Sequence, residues 1–247
     1  MKKKYDGIYL IGRFCSVESG AWLFIDEDEC ALFEAPEYDP GETPPVDIAV
    51  RIIEENNLKL KYVLVSHPHR DHVYSIGEYR QAFPEAKFIA HKLASFILHE
   101  TCSAELLFHP EIWMALPGSD EIFDHLYEDS ISLPLGNKVI HQVYAPKHSP
   151  GDVITYFNHV LFTGDWWLME GDPGNCREVL RVANNSINRV HDYIMENNLD
   201  IRHIFPSHAN NMMYDIDIEE VLHRTLVPPG WWNRAMKCPV KIDFDGR

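Results

Sequence analysis

At 247 residues, with 45% hydrophobic and 24% charged side chains, the chain can fill the core of one large α/β domain or two small ones. Its formal charge of −16 at pH 7 repels a phosphate backbone, and no strong basic patch interrupts that field, so a nucleic-acid partner is not expected. No apolar run approaches the length of about eighteen residues that a membrane-spanning helix needs, so no membrane partner is expected either.

The chain opens on "KKK" at residues 2–4, read as a solvated terminus. The apolar segment behind it, "GIYLIG", is too short for a secretion signal and has no small-residue cleavage site. "GIYLIGRF", "GAWLFID" and "CALFEAP" then read as short strands separated by turn or charged residues. "EYDPGETPP" (37–45) is turn chemistry, and "VDIAVRIIEENNLK" carries the spacing of an amphipathic helix that stops at Asn56-Asn57. "YVLVS" is a buried strand running directly into "HPHRDH". "IGEYRQAF" reads as a helix ending at Pro84, "KFIAH" as a strand and "KLASFILHE" as a helix.

Residues 101–128 are apolar and interrupted by prolines, and are read as an inserted helical segment lining or covering a site. "KVIHQVYAP", "VITYF" and "HVLFTGD" are three further strands. A helix over "NCREVLRVANNSINRVHDYIMENN" follows, then a last strand in "IRHIFPSH" and a helix in "DIEEVLHRTL". The tail from about residue 228 resists assignment; packing on a second copy, as a homodimer, is one reading of it. Strands, a helix, more strands and another helix in this order imply sheets with helices packed outside, in a single domain over 1–247. Five scattered cysteines with no CxxC pair suit reduced thiols in a cytoplasm.

The chemistry concentrates in residues 67–72, where His67, His69, Asp71 and His72 follow a buried strand. Imidazoles and a carboxylate suit zinc, manganese or ferrous iron without any thiolate. In extended backbone His67 and His69 project to one side. Asp71 and His72 follow where the chain turns, and so can aim at a second point a few ångströms away. Four side chains cannot fill two centres. His148 in "APKHSPGD", Asp165 in "VLFTGDWW" and His208 in "HIFPSHAN" each stand where an apolar strand emerges into a loop, and are the candidates for the rest. Alone, any one of them reads as an ordinary loop residue among fourteen histidines and many acids.

Taken in order, H-x-H-x-D-H at 67–72, "PKHSPGD", "FTGD" and "PSH" make the sequence resemble the metallo-β-lactamase superfamily over roughly residues 8–210. The resemblance implies an αββα four-layer sandwich with a dimetal site at one edge. It further implies that His67, His69 and His148 hold one metal, that Asp71, His72 and His208 hold the other, and that Asp165 bridges them. Asp71 is also placed to accept or relay a proton. The cofactor implied is two divalent metal ions, zinc for preference, with iron or manganese as alternatives.

The chain departs from the family pattern in two places. Glu34, in "LFEAP", stands near where the family often carries an acid followed by Gly; it is either a solvated side chain or a group behind the ligands that orients one of them. Lys147 replaces a customary Gly and is expected to point to solvent, the alternative being a substrate carboxylate contact. Glu170 and Asp172 read as a solvated turn, with a place at the site mouth as the alternative, while Trp166 and Trp167 read as packing. Tyr74 and His109 are candidates for contact with substrate. The reaction implied is hydrolysis of a small ester, thioester or lactone. A β-lactam hydrolase, a mononuclear-iron oxygenase of the persulfide dioxygenase type and a non-catalytic metal-binding protein are the alternatives.

Overall fold

A computed structural model describes residues 1–94, 122–149, 151–165 and 177–225. The elements in chain order are β1 (Lys2–Tyr5), β2 (Ile8–Phe14), β3 (Ser19–Asp26), β4 (Glu29–Phe33), α1 (Pro45–Glu55), β5 (Lys59–Leu64), α2 (Arg70–Val73), α3 (Ile76–Ala82) and β6 (Lys87–His91). After residues outside the description come β7 (His125–Tyr127), β8 (Ser130–Leu135), β9 (Lys138–Tyr144), β10 (Val153–Phe157), β11 (Val160–Phe162), α4 (Arg177–Glu196), β12 (His203–Phe205) and α5 (Ile218–Thr225).

Two sheets form. The first runs β1 to β7 in chain order, antiparallel as far as β4 and parallel from β4 to β7. The second has the order β12-β11-β10-β9-β8, antiparallel except for the parallel β11–β12 pair.

The alternation of side chains along each strand decides what packs where. On β3, Trp22 and Phe24 face the second sheet, while Ala21 and Leu23 join the core shared with α1 and α3. Both faces are covered, so this strand reads as an unbroken apolar run. Between the sheets the Trp22 and Phe162 rings meet edge to face at 5.1 Å, and Phe24 stacks on Phe157 at 5.1 Å. Helix α1 starts on Pro45, where no backbone donor is lost, carries Asp47 in its first turn, and buries Val46, Ala49, Ile52 and Ile53. Ile187, Val190 and Ile194 of α4 pack on Ile154, Leu161 and Ile204 of the second sheet. The result is helix, sheet, sheet, helix: the expected αββα sandwich.

Three local readings change. The lysine run at the N-terminus is not a loose end; it forms β1, which pairs with β2 at the sheet edge. Its lysines Lys2 and Lys3 stay exposed, an arrangement that discourages further pairing along that edge. Strand β8 had no reading, and Pro134 falls within it; the pairing with β9 survives because β8 is an outer strand. Within the segment read as inserted, His125–Tyr127 forms β7 and joins β6 in parallel. Residues 95–121 lie outside the described residues, as do His109, Trp166, Trp167, Glu170, Asp172 and the tail. Among the described residues no helix is long and apolar enough to cross a membrane, and Cys15 and Cys30 are free thiols.

The topology delivers several loops to one edge. β5 of the first sheet ends just before His67, while β11 and β12, paired in register at Phe162 and Phe205, end just before Asp165 and His208. The β9–β10 turn carries His148. The Val153 amide donates to the Ser66 carbonyl at 2.9 Å, stitching the two sheets together where these loops meet.

Candidate metal centre

His67 and His69 lie on chain that leaves β5 before the single turn of α2, and His69 is the extended residue ahead of that turn (φ −65°, ψ 145°). Asp71 and His72 lie inside the turn. The change from extended to helical backbone turns the second pair towards a different point from the first, as the spacing predicts.

His69 Nδ1 lies 3.1 Å from His67 Nε2 and 2.8 Å from His148 Nε2. Three ring nitrogens thus face one another. Histidine ligands held tetrahedrally at the usual zinc distance stand roughly 3.3 Å apart, so the cluster is within a few tenths of an ångström of a metal-loaded arrangement. In the metal-free protein, burial and the neighbouring imidazoles hold the His67 and His69 pKa values well below the usual histidine range. Both rings are therefore neutral at pH 7, the form that binds a metal.

The second group gathers around Asp165. Its Oδ1 lies 3.2 Å from both His72 Nε2 and His208 Nε2. Its Oδ2 lies between the groups, 3.4 Å from His208 Nε2, 3.6 Å from His148 Nε2 and 3.9 Å from His67 Nε2. Asp71 Oδ2 sits 3.1 Å from His72 Nε2 and 3.5 Å from His208 Nε2. One ligand atom from each of His67, His69, His148 and Asp165 lies within 4.8 Å of every other, and the same holds for Asp71, His72, Asp165 and His208. The seven predicted residues therefore stand together as two groups that share Asp165.

Two features of the second group point to a cation. His72 Nε2 and Asp165 Oδ1 are buried and have no hydrogen-bond partner among the described residues, although they stand 3.2 Å apart. Buried polar atoms are seldom left in that condition. Burial works against a charged His72, but the carboxylates of Asp165, Asp71 and Glu34 outweigh it and hold its imidazolium well above the usual range. A site that stabilises a proton on His72 has the charge to accept a cation in its place.

The supporting groups explain why the cluster holds its shape. Glu34 is fully buried, which settles its two readings in favour of a role behind the ligands. Its carboxylate accepts from the Ser66 amide at 3.3 Å and the Ser207 hydroxyl at 2.6 Å, and stands 3.6 Å from His72 Nδ1. It joins two ligand-bearing loops, residues 66–72 and 207–208. The chain enters this position through a left-handed φ of 71°, a conformation costing a side-chain residue about 1–2 kcal/mol. Gly164 has a φ of 60°, and a Cβ there would stand 3.2 Å from the Ser66 side chain, so the turn that presents Asp165 favours glycine.

The sequence reading missed four groups. Asp152 accepts the amides of Lys147, His148 and Ser149 at 2.9, 2.6 and 2.7 Å, together with the Ser149 hydroxyl, and so shapes the His148 turn. Ser66 Oγ meets His67 Nδ1 at 2.7 Å. Ser19 donates to Asp71 Oδ2 at 2.6 Å. Ser207 bonds Glu34, as above. Only Asp152 left a trace in the sequence, as the Asp that closes "HSPGD".

The ligand groups open into a cavity of about 540 Å³, whose walls among the described residues include Cys15, Val17, Glu37, Asp39 and Arg70. Arg70 is ion-paired with Glu37 and stacks on Tyr74, 4.8 Å from its ring centre. Tyr74 is exposed and does not line this cavity. Lys147 is buried and not directed to solvent, which corrects the expectation for it; its backbone amide donates to Asp152.

Comparisons with known proteins point to one family. The family model described as the Metallo-beta-lactamase superfamily matches residues 21–168. Glyoxylase B2 of Dictyostelium discoideum is 26% identical over 167 residues, which cover 64% of this chain and 55% of the relative. A hydroxyacylglutathione hydrolase of Methylobacillus flagellatus is 27% identical over 172 residues, covering 64% and 58%. The chain thus spans a little over half the length of these two curated relatives. Among solved structures, a metallo-beta-lactamase from Cronobacter sakazakii superposes with a TM-score of 0.62 at 12% identity, over 90% of this chain and 89% of the other. That likeness is one of fold.

Proposed function

This chain belongs to the metallo-beta-lactamase superfamily, and from that premise we propose that it is a metal-dependent hydrolase of a small ester, thioester or lactone. The observation that carries the reading is the sharing of Asp165 by two groups of potential ligands. Bound there, two divalent ions, zinc for preference and iron or manganese as alternatives, supply a hydroxide nucleophile at neutral pH and a Lewis acid for the substrate carbonyl.

The side chains supply the rest. His67, His69 and His148 would hold one ion, Asp71, His72 and His208 the other, with Asp165 available to both. Asp71 is the proton acceptor. Burial works against its charge, but His72 and the Ser19 hydroxyl outweigh that and keep it ionised, free to accept a proton. The cavity volume suits a small molecule. Thioesters are favoured within the class because relatives such as that of Methylobacillus flagellatus are named hydroxyacylglutathione hydrolases.

The test is to measure metal per chain in the purified protein, then screen thioesters, lactones and β-lactams before and after chelation, with oxygen uptake followed in parallel. The expected result is two ions per chain and thioester or lactone cleavage that chelation abolishes and added metal restores. β-Lactam cleavage alone would redirect the substrate assignment. One iron with oxygen consumption, or no turnover of any class, would overturn the hydrolase reading.

A pH dependence follows from the imidazoles. His72 and His208 are both held above the usual histidine range: burial opposes their charge, and the carboxylates around them, Asp165 foremost, outweigh it. A metal entering the second position must displace those protons, so its affinity should rise with pH until both are lost. His67 and His69 have pKa values below the usual range and carry no proton to displace near neutrality. Metal titrations between pH 6.5 and 8 should therefore show one affinity climbing steeply and the other nearly level.

A further inference from the structure

We infer that the β2–β3 hairpin, residues 15–19, selectively sets the affinity of the second metal position; the inference rests on the dimetal reading above. The hairpin reaches two of the second group's side chains by separate bonds. Ser19, fully buried at the start of β3, donates to Asp71 Oδ2 at 2.6 Å. The Val17 carbonyl, at the hairpin tip, accepts from His208 Nδ1 at 2.8 Å. That second bond places a proton on Nδ1 and directs Nε2, the atom that would bind the metal, towards Asp165 and Asp71.

The first group is held from elsewhere. His67 leans on Ser66 within its own loop, and the His148 turn is shaped by Asp152. The hairpin thus controls one position and not the other.

The hairpin is itself pinned to the loop that carries His208. The amide of Gly20 and the indole Nε1 of Trp22 both donate to the Ser207 carbonyl at 3.1 Å. A Cβ on Gly20 would stand 2.3 Å from that oxygen, so only glycine lets β3 approach so closely. At the tip, Cys15 and Glu18 adopt left-handed φ values of 53° and 58°, and the Glu18 amide closes the turn on the Cys15 carbonyl at 3.1 Å. The Cys15 amide donates to Glu42 at 3.0 Å, tethering the tip to the loop before α1. The tip is anchored at both ends, with the Val17 carbonyl directed inward and its side chain exposed.

The test compares zinc binding by wild type, Ser19→Ala, Gly20→Ala and Ser66→Ala, using equilibrium dialysis of chelator-stripped protein and cobalt absorption spectra. Wild type is expected to take two ions. Ser19→Ala should weaken the second by roughly 10–100-fold while the first stays within about twofold, the usual range for a lost partner behind a ligand. Gly20→Ala should do the same by displacing the hairpin, and Ser66→Ala should weaken the first ion instead. Apo-protein circular dichroism checks folding, and because the inference stands on two hairpin variants, either one suffices if the other does not fold. Two ions bound with wild-type affinities by the hairpin variants, or equal weakening of both, would overturn the inference and leave the dimetal reading intact. A wild type that takes fewer than two ions would defeat both.

Discussion

Replacing His67 and His69 together by alanine is expected to abolish metal retention and to reduce hydrolysis at least about 10⁴-fold, because water without a metal stays almost wholly un-ionised at neutral pH. The fold should persist. The two imidazoles lie beyond the end of β5, outside the apolar layer in which Trp22, Phe24, Phe33 and Phe162 pack between the sheets. Losing them removes ligand atoms and no strand pairing. Elemental analysis, turnover and far-ultraviolet circular dichroism on the same preparation check the three parts. Retained turnover in a metal-free double variant would refute the proposed chemistry.

The second large effect is expected from Asp165→Asn. Asparagine keeps the shape of the side chain and removes the charge that faces both groups. His72 then loses the first of the carboxylates that keep it cationic, and the shared position loses its negative bridge. The expected outcome is loss of one ion per chain and a fall in kcat of roughly 10³-fold, about 4 kcal/mol of barrier. Metal stoichiometry separates this from a folding defect: a variant retaining two ions and near wild-type kcat would show that Asp165 is not a bridge.

The sequence made the site's outline legible because its parts are short and repeat one physical theme. Apolar strands ending in a polar residue at 66–67, 165 and 208 said little one by one; their conjunction with the H-x-H-x-D-H spacing tied them to a known pattern. The core strands were legible for a related reason. β3 and β4 are buried on both faces, so "GAWLFID" and "CALF" read as strands without help from their neighbours. The elements that went unread depend on their partners. β1 is a lysine run that is a strand only because β2 offers an open edge, β7 has three residues, and β8 carries a proline. Composition near each of these argues for something else.

The groups behind the ligands were illegible for a different reason. Ser19 is 52 residues from Asp71, and Ser207 is 173 from Glu34. A lone serine has no periodicity or spacing to mark it, and its role exists only once the two sheets bring the loops together. Lys147 shows the opposite failure. A lysine in a polar loop reads as solvated, yet this one is buried in a turn whose three consecutive amides donate to the Asp152 carboxylate. Glu34 could be suspected from its place after an early strand, but only its burial and its contacts with Ser66 and Ser207 decided between solvent and site.

The central claim is that seven side chains surround a pair of cations, and anomalous diffraction at the zinc edge from crystals of the metal-loaded protein tests it most directly. Two peaks roughly 3.5–4 Å apart are expected. One should lie within bonding distance of His67, His69 and His148, the other of Asp71, His72 and His208, with Asp165 between them. A single peak, or His148, Asp165 or His208 turned away from residues 67–72, would contradict it.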